Sequence, residues 1–301
     1  MEAGLGYPES DSGKNNKMSS WEERAKLLQS ESEKFQQYLS GLPDDAWAKQ
    51  SACELWRVED VVAHLVGNAE FYAATVERGL KGEFEPPEGR PEAGTGHPSK
   101  GAAGTAEGAI ANRERLGGRL LPALEARTNY LTQLLAGLNL ADREKPCYHP
   151  GGIVPAGNFV DLRFKELALH QWDIRSALEP GAGLEPESLH SMVVLLTESF
   201  ASGSIRWAFW PGPALDQPVR YRFDVKEPAP FNGDIVVEGV SFRFEESSSG
   251  PADVTFICDT GTLALMMYGR LDVSAAIDQG RLDVAGDNGL AAQFGQWFKG
   301  I

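Results

Sequence analysis

The spacing of apolar residues changes once along this chain, close to Gly183, and that change limits the folds open to it. Before it, apolar residues recur at intervals of three, four and seven, which is typical of amphipathic helices. After it, runs such as VRYRFDV (219–225) and ADVTFICD (252–259) alternate apolar and polar residues, as half-buried strands do. We therefore predict a helical domain over residues 20–183 and a small α+β domain over residues 184–301.

The first part carries four long helical patterns, which predict a four-helix bundle. They run from Ser20 to Pro43, from Val58 to Leu80, from Ile110 to Leu138 with a kink at Pro122, and from Phe159 to Leu178. In the second part we predict a helix near 186–202, strands over 219–225, 233–239, 240–246 and 252–259, and helices over 261–269 and 288–298.

Two segments lack a regular pattern. Residues 1–19 are polar and rich in Gly, Ser and Asn, which predicts a disordered tail. Residues 81–108 are rich in Gly and Pro and are long for a connection in a compact domain. We interpret this insertion as mobile, or as a lid over a site.

The net charge of the chain limits the classes of partner that it can bind. There are 28 Lys and Arg against 43 Asp and Glu, a net charge of −15, so phosphate backbones and anionic membranes would be repelled. Cys53, Cys147 and Cys258 are far apart and odd in number, which suits a reducing compartment. The first residues lack a signal-peptide pattern, and no stretch approaches the ~18–20 apolar residues of a membrane span. We expect a cytoplasmic protein with a small-molecule substrate; the sequence leaves the oligomeric state open.

Glu166 and His170 lie four residues apart on the fourth helical pattern, so both side chains share one face. A carboxylate and an imidazole at this spacing can bind one cation at about 2.0–2.2 Å. The alternative is a surface pair, or a buried histidine with a hydrogen-bonded partner. Leu167, Leu169 and Trp172 indicate a buried helix, where glutamate is rare unless it is paired or bound to a metal.

His64 lies among apolar residues in VEDVVAHLVG, where a lone histidine is more often a core residue than a ligand. Together with Glu166 and His170 it completes a set of two histidines and one glutamate. Three protein ligands leave a fourth position open, as in catalytic zinc sites. Asp173, one turn beyond His170, either orients that ring or is a surface acid near the helix end.

Three further side chains are weaker candidates. His149, in YHPGG, either lines the mouth of a pocket or is exposed on its loop, and we favour exposure. Cys53 and Cys147 either supply a thiol near the metal or are buried as small apolar residues, and we favour burial.

Two segments resemble a known family. ACELWRVEDVVAHLVGNAEFY (52–72) and PGGIVPAGNFVDLRFKELALHQWDIRSAL (150–178) resemble the DinB-like, mycothiol-dependent maleylpyruvate isomerase family. The resemblance implies that His64, Glu166 and His170 hold a divalent metal, usually zinc. It also implies open positions for water and a low-molecular-weight thiol such as mycothiol. The insertion at 81–108 and Arg57, at a position that is usually a small polar cap, depart from the family pattern.

The second part resembles another fold. ADVTFICDTGTLALMMYGRLDVSAAIDQGRLDVAGD (252–287) is similar to the sterol carrier protein 2-like fold, which either holds an apolar ligand or walls off the active site. By resemblance, an arginine of this domain binds a substrate carboxylate, and Arg270 and Arg281 are the candidates. Both could equally be surface residues.

These features support three hypotheses. The first is a metal- and thiol-dependent isomerase or transferase that acts on a small electrophile resembling maleylpyruvate. The second is a carrier of lipid or another apolar ligand with a structural or vestigial metal site. The third is an interaction protein that binds no metal and whose histidines belong to the core.

Overall fold

A computed structural model of the chain describes residues 20–95, 98–201, 208–210, 212–247 and 250–299. The tail predicted over residues 1–19 lies outside these ranges. The helices of the first part are α1 (Trp21–Ser40), α2 (Val58–Leu80), α3 (Pro98–Leu116), α4 (Leu120–Ala136), the short α5 (Leu140–Arg143) and α6 (Phe159–Leu178). A two-stranded ribbon of β1 (Pro146–Cys147) and β2 (Val154–Pro155) lies between α5 and α6.

Helix α1 begins where the sequence predicts it. The Ser20 hydroxyl accepts a hydrogen bond from the Glu23 backbone N–H, and the Glu23 carboxylate accepts one from the Ser20 N–H. Leu28, Phe35 and Leu39 form its buried stripe, each 1% exposed. The helix packs against α4 and α6, so its apolar face closes the helical core.

Helices α2 and α6 form the centre of the helical part. Helix α2 contacts α3, α4 and α6, and helix α6 contacts α1, α2, α4 and the later helix α7 (Pro186–Ala201). The run from Leu167 to Ile174 of α6 is buried on all sides. Polar side chains on this stretch are therefore enclosed by protein, and they need partners there.

The third predicted helix differs from the structure. A helix from Ile110 to Leu138 with a kink at Pro122 is wrong. A turn of 3₁₀ helix at Gly117–Arg119 separates α3 from α4, and Gly117 has a φ of +50° that favours glycine. Pro122 lies in the first turn of α4, where the absence of its N–H costs no helical hydrogen bond.

Part of the insertion at 81–108 is helical, which the sequence did not predict. Its second part, from Pro98 onward, belongs to α3. The described loop before it is fastened to the segment preceding α6, because the Tyr148 hydroxyl donates to the Pro91 carbonyl and the Gly94 N–H to the Pro150 carbonyl. The many small residues of α3 concealed the helical pattern.

The second part is an α+β domain, as the alternating runs predict. Its elements are α7, β3 (Leu215–Val225), β4 (Phe231–Gly239), β5 (Ser241–Glu246), β6 (Val254–Cys258), α8 (Thr260–Met267), α9 (Val273–Asp278), β7 (Leu282–Gly286) and α10 (Asn288–Trp297). The strand order is β5-β4-β3-β6-β7, with β3 and β6 parallel and the other neighbours antiparallel. The four predicted strands are confirmed, whereas α9 and β7 were not predicted.

One face of this sheet is aromatic. Tyr221, Phe223 and Phe256 alternate inward, and Phe294 of α10 lies 5.1–5.5 Å from each of these rings, centroid to centroid. These contacts form the core of the domain. The domain boundary near residue 183 stays a prediction. No helix in the described part of the chain is long and apolar enough to cross a membrane.

Candidate metal centre

Three side chains from α2 and α6 converge where these helices face each other. His64 Nε2 lies 3.0 Å from Glu166 Oε2, and His170 Nε2 lies 3.5 Å from the same oxygen. The two imidazole centroids are 4.8 Å apart. The side chains of His64, Glu166 and His170 are 16%, 22% and 9% exposed, so the cluster is enclosed but reachable from solvent.

The orientation of His170 is fixed from its other side. Its Nδ1 lies 2.8 Å from Asp173 Oδ2, three residues further along α6. Because an ionised carboxylate only accepts hydrogen bonds, the proton of the neutral ring is on Nδ1. Nε2 faces the Glu166 carboxylate: it donates a hydrogen bond to it when the ring is protonated, and it is free to bind a metal ion when the ring is neutral. Asp173 is thus an orienting residue rather than a surface acid.

Asp173 receives donors from three separate parts of the chain. Arg270, which follows α8, donates from Nε to Oδ1 at 3.2 Å and from Nη2 to Oδ2 at 3.1 Å. The Cys53 thiol lies 3.1 Å from Oδ2. The Asp173 carboxylate is 1% exposed, so the α+β domain closes the back of the cluster through Arg270.

These contacts determine the protonation of the cluster. Burial opposes the ionisation of Glu166, but hydrogen bonds from His170 and His64 outweigh it and hold the pKa of this carboxyl well below its usual value. Burial lowers the pKa of His64. For His170 burial acts in the same direction, yet the bond to Asp173 dominates and raises its pKa. Against its own burial, Asp173 has a lowered pKa because of the Arg270 charge.

Two residues that support the cluster were not predicted from the sequence. Trp56 stacks on His64 with centroids 4.8 Å apart and is 5.7 Å from His170, so it fixes both rings. Arg163 of α6 is fully buried, and its guanidinium donates to the Leu65 carbonyl at 3.0 Å and to Asn68 Oδ1 at 2.7 Å. A charged residue in the apolar run FVDLRF was the available signal.

The remaining candidates occupy different places. Cys53 is half-buried beside Asp173, although burial as a small apolar residue was favoured, and Cys147 is buried against Gly79 of α2. His149 is half-buried rather than exposed, with its ring 6.2 Å from that of Tyr72. Among the described residues, Arg281 makes no hydrogen bond or ion pair with the cluster; its charge acts on Cys258 at the end of β6.

The donor set fits a divalent metal. One ligand atom from each of His64, Glu166 and His170 lies within 4.8 Å of the others. Two imidazole nitrogens and a carboxylate oxygen are a set that zinc binds in enzymes. Cys53, His170 and Asp173 form a second set within the same limit, but the Arg270 guanidinium already contacts both Asp173 oxygens. The first set is therefore the better cation site.

Two family models match different parts of the chain. Residues 28–175 match the model described as the mycothiol maleylpyruvate isomerase N-terminal domain. Residues 218–299 match the SCP-2 sterol transfer family. No curated protein matches the chain.

Solved structures match most of the chain or only its second part. A crystal structure of a mycothiol-dependent maleylpyruvate isomerase is 17% identical, with a TM-score of 0.57, and the match covers 84% of this chain and 90% of that chain. A mutant of that isomerase is 16% identical, with a TM-score of 0.56 and the same coverage. Sterol carrier protein 2 like 2 from Aedes aegypti is 19% identical with a TM-score of 0.28, covering 36% of this chain and 97% of its own. At 16–17% identity, the likeness to the two isomerase structures is one of fold.

Proposed function

The chain belongs to the mycothiol-dependent maleylpyruvate isomerase family, with an SCP-2 domain behind its helical domain, and on that premise we propose that it is a metal- and thiol-dependent isomerase. The substrate class is a small unsaturated dicarboxylate such as maleylpyruvate, and the thiol is mycothiol or a relative of it. The observation that carries this proposal is the convergence of His64, Glu166 and His170 in a partly open position. An open site suits exchangeable ligands better than a closed structural one.

The residues of the chain have distinct parts in this proposal. His64, Glu166 and His170 hold the metal, and Asp173 keeps the proton of His170 on Nδ1 so that Nε2 is free to bind it. When bound, a zinc-type ion favours the thiolate form of a thiol at neutral pH. Trp56 limits the rotation of both imidazoles. The low pKa of Glu166 keeps its carboxylate ionised and able to bind a cation.

The isomerisation itself is a reversible addition. The thiol gives up its proton to solvent, and its sulfur forms a C–S bond at one carbon of the conjugated C=C. The π electrons of that double bond move onto the neighbouring carbonyl oxygen, which leaves a single bond that rotates. The electrons then return, the C–S bond breaks, and the trans isomer leaves with the thiolate regenerated; return of the proton from solvent restores the thiol.

We also propose that α1, α2, α4 and α6 form the four-helix bundle of DinB-like proteins. The pairs α1 and α4, α1 and α6, α2 and α4, and α2 and α6 are all in contact, which supports a bundle of these four. Such a bundle places ligands from facing helices in its centre.

Metal analysis of protein purified without a metal-affinity tag tests the proposal. We expect about one zinc or similar ion per chain, lost in His64→Ala and His170→Ala, because each variant removes one of the few ligands of a catalytic site. His190→Ala is the matched control, since His190 is exposed on α7. If the wild type takes up no divalent metal, or if His170→Ala isomerises maleylpyruvate at the wild-type rate in the presence of the thiol, the proposal is wrong.

A related outcome would change the reaction class. If the thiol stays attached to the product, the enzyme is a thiol S-transferase, in which the C–S bond forms at one carbon of the double bond and the neighbouring carbon takes a proton from solvent. Mass spectrometry of the product separates the two, because an isomer has the mass of the substrate and an adduct does not.

A second candidate function is the binding of an apolar ligand by the α+β domain. A cavity of about 210 Å³ there is lined by apolar side chains that include Met266, Phe294 and Phe298, together with the charged residues Asp272 and Lys299. With the match to the SCP-2 family, this supports lipid or another apolar ligand as the occupant, with the metal in a structural role. Organic extraction of the purified protein tests it: a stoichiometric lipid supports the carrier function, and its absence argues against it.

A further inference from the structure

The turn at 268–272, which joins α8 to α9, lies between the cavity of the α+β domain and the metal-ligand cluster. Gly269 and Leu271 line the cavity of about 210 Å³. Arg270, the residue between them, directs its side chain to Asp173 of α6, with Nε and Nη2 at 3.2 and 3.1 Å from the two carboxylate oxygens. Successive residues of one short turn therefore contact the ligand space of one domain and the support of His170 in the other.

Hydrogen bonds hold this turn in a single conformation. The Gly269 N–H donates to the Met266 carbonyl at 3.1 Å, and the Arg270 N–H donates to the Leu265 carbonyl at 2.8 Å. Gly269 has a φ of +70°, which lets the chain leave α8 in a new direction. Arg270 Nη1 also donates to the Tyr268 carbonyl at 2.8 Å. Because the Arg270 guanidinium is bonded to the backbone of its own turn, a displacement of the guanidinium also displaces the residues that line the cavity.

The cavity suits an uncharged apolar ligand. Its apolar side chains are at most 9% exposed and are those of Met266, Leu271, Val273, Phe294 and Phe298. Its two charged residues have other contacts: Asp272 Oδ1 caps α9 by accepting from two backbone N–H groups, and the Lys299 ammonium lies 5.6 Å from the centroid of the Trp210 ring. One acid and one base give the lining no net charge that would select a charged ligand.

We propose that an apolar ligand in this cavity and the contact between Arg270 and Asp173 stabilise each other through the turn at 268–272. The structure contains the formed cavity and the engaged arginine in the same conformation. A ligand that fills the cavity favours this conformation, because it occupies the space that Leu271 would otherwise enter when Arg270 is released. By linkage, the contact with Asp173 strengthens ligand binding by the same factor.

The same coupling reaches the candidate metal ligands. Asp173 Oδ2 accepts from Arg270 Nη2 and lies 2.8 Å from His170 Nδ1, so an arginine that is held in place also holds the partner of the histidine. Ligand binding should therefore increase metal affinity. This inference rests on the apolar-ligand function proposed above, and it makes that ligand a regulator of the metal centre instead of an alternative to it.

Calorimetric titration of the full-length, metal-free protein with 1-decanol, an uncharged single-chain probe, tests the coupling without the metal. We expect Asp173→Asn to weaken decanol binding about 5-fold, although Asp173 lies in the other domain and does not line the cavity. Arg270→Gln should have a similar effect, and the double variant should lose little more, because both changes break one contact. Asp60→Asn is the matched control, since Asp60 is a buried aspartate of α2 that pairs with Arg113. It should bind decanol like the wild type.

Zinc affinity, measured by competition with a chelator, tests the effect on the metal. Saturating decanol should raise the zinc affinity of the wild type about 5-fold, by the same linkage. Gly295→Leu places a side chain in the cavity from α10, so it should abolish decanol binding and with it any effect of decanol on zinc. An equal effect of decanol on zinc affinity in Gly295→Leu and in the wild type would show that decanol acts elsewhere and would refute the coupling.

The remaining outcomes separate this inference from the proposed functions. A wild type that does not bind decanol would refute both the ligand function and the coupling. Equal dissociation constants for decanol in the wild type, Asp173→Asn and Arg270→Gln would refute the coupling alone. Zinc affinity that decanol leaves unchanged would refute its effect on the metal centre. A protein that binds no zinc would refute the metal-dependent reaction, whereas the titrations of the metal-free variants would still decide the coupling.

Discussion

Asp173 and Asp234 are both buried aspartates that bind arginine, yet their surroundings differ in one respect. Asp234, on β4, is 0% exposed and accepts hydrogen bonds from Arg220 and Arg222 of the neighbouring strand at 2.8–2.9 Å. Asp173 accepts similar bonds from Arg270. Only Asp173 also binds a histidine whose second nitrogen faces an open cluster.

This difference distinguishes an ion pair that only stabilises the fold from one that belongs to a candidate metal site. The two arginines that donate to Asp234 lie in the same sheet, so their charges are balanced within the sheet. The chain of contacts from Arg270 through Asp173 to His170 ends at Nε2, which faces the Glu166 carboxylate in the partly exposed cluster. A buried carboxylate therefore indicates a binding site only when its chain of hydrogen-bonded partners ends at a polar atom that is open to a ligand.

Removing the charge of Asp234 should have the largest effect on folding. Asp234→Asn leaves two arginines against a neutral amide, and we expect the free energy of unfolding to fall by about 3 kcal/mol. Urea denaturation measures it. Glu238→Gln, which alters the exposed pair with Arg243, is the control and should change stability by less than about 1 kcal/mol. Equal losses in the two variants would show that burial does not distinguish these pairs.

Asp173→Asn should instead act on the metal. The amide keeps the shape of the carboxylate but cannot accept from both His170 and Arg270 while balancing the arginine charge. We expect zinc affinity, measured by competition with a chelator, to fall about 10- to 100-fold, as for other partners of metal-bound histidines. Asp234→Asn serves as the reference and should bind zinc like the wild type. Unchanged affinity in Asp173→Asn would contradict the orienting role.

Removing the charge of Asp161 should have the smallest effect on stability, and its pH dependence is opposite in sign to that of Asp234. Burial raises its pKa to about 6, even though the Arg24 charge lowers it. An aspartate in the unfolded chain titrates near 3.9, so the folded state binds the proton more tightly between about pH 4 and pH 6 and loses stability as pH rises through that range. The amide that replaces this carboxyl in Asp161→Asn does not titrate.

The wild type should therefore be more stable relative to Asp161→Asn at pH 4 than at pH 7, by about 1–2 kcal/mol. Thermal or urea unfolding at several pH values measures the difference. The pKa of Asp234 is lowered, because the hydrogen bonds from Arg222 and Arg220 outweigh its burial. Its contribution to the stability of the protein therefore decreases as pH falls. It is present in both proteins, so its contribution cancels. Parallel stability curves would show that Asp161 titrates normally.

The sequence predicts the candidate ligand set because each part of it is a local pattern. The spacing of Glu166 and His170 follows from helix geometry, and the apolar neighbours of His64 place it in the core. Their convergence in the structure agrees with that reasoning. Helices α1, α2 and α6 and four of the strands were predicted for the same reason: their periods are strong over many residues.

What the sequence did not predict depends on contacts between distant segments. Trp56 and Arg163 support the cluster through packing and hydrogen bonds that no spacing rule encodes. The pairing of Arg270 with Asp173 joins residues 97 positions apart. Similarly, α3 has few large apolar residues, and β7 is a short strand that depends on β6 for its hydrogen bonds. Local propensity was too weak in both places.

The contact between Arg270 and Asp173 also limits how the two domains can be exchanged. A different C-terminal domain joined to these helices would leave Asp173 either uncovered or facing a group other than a guanidinium, and His170 would lose the fixed acceptor for its Nδ1 proton. The two domains are therefore not interchangeable modules. A chimera made from this chain therefore has to keep Asp173 and Arg270 together.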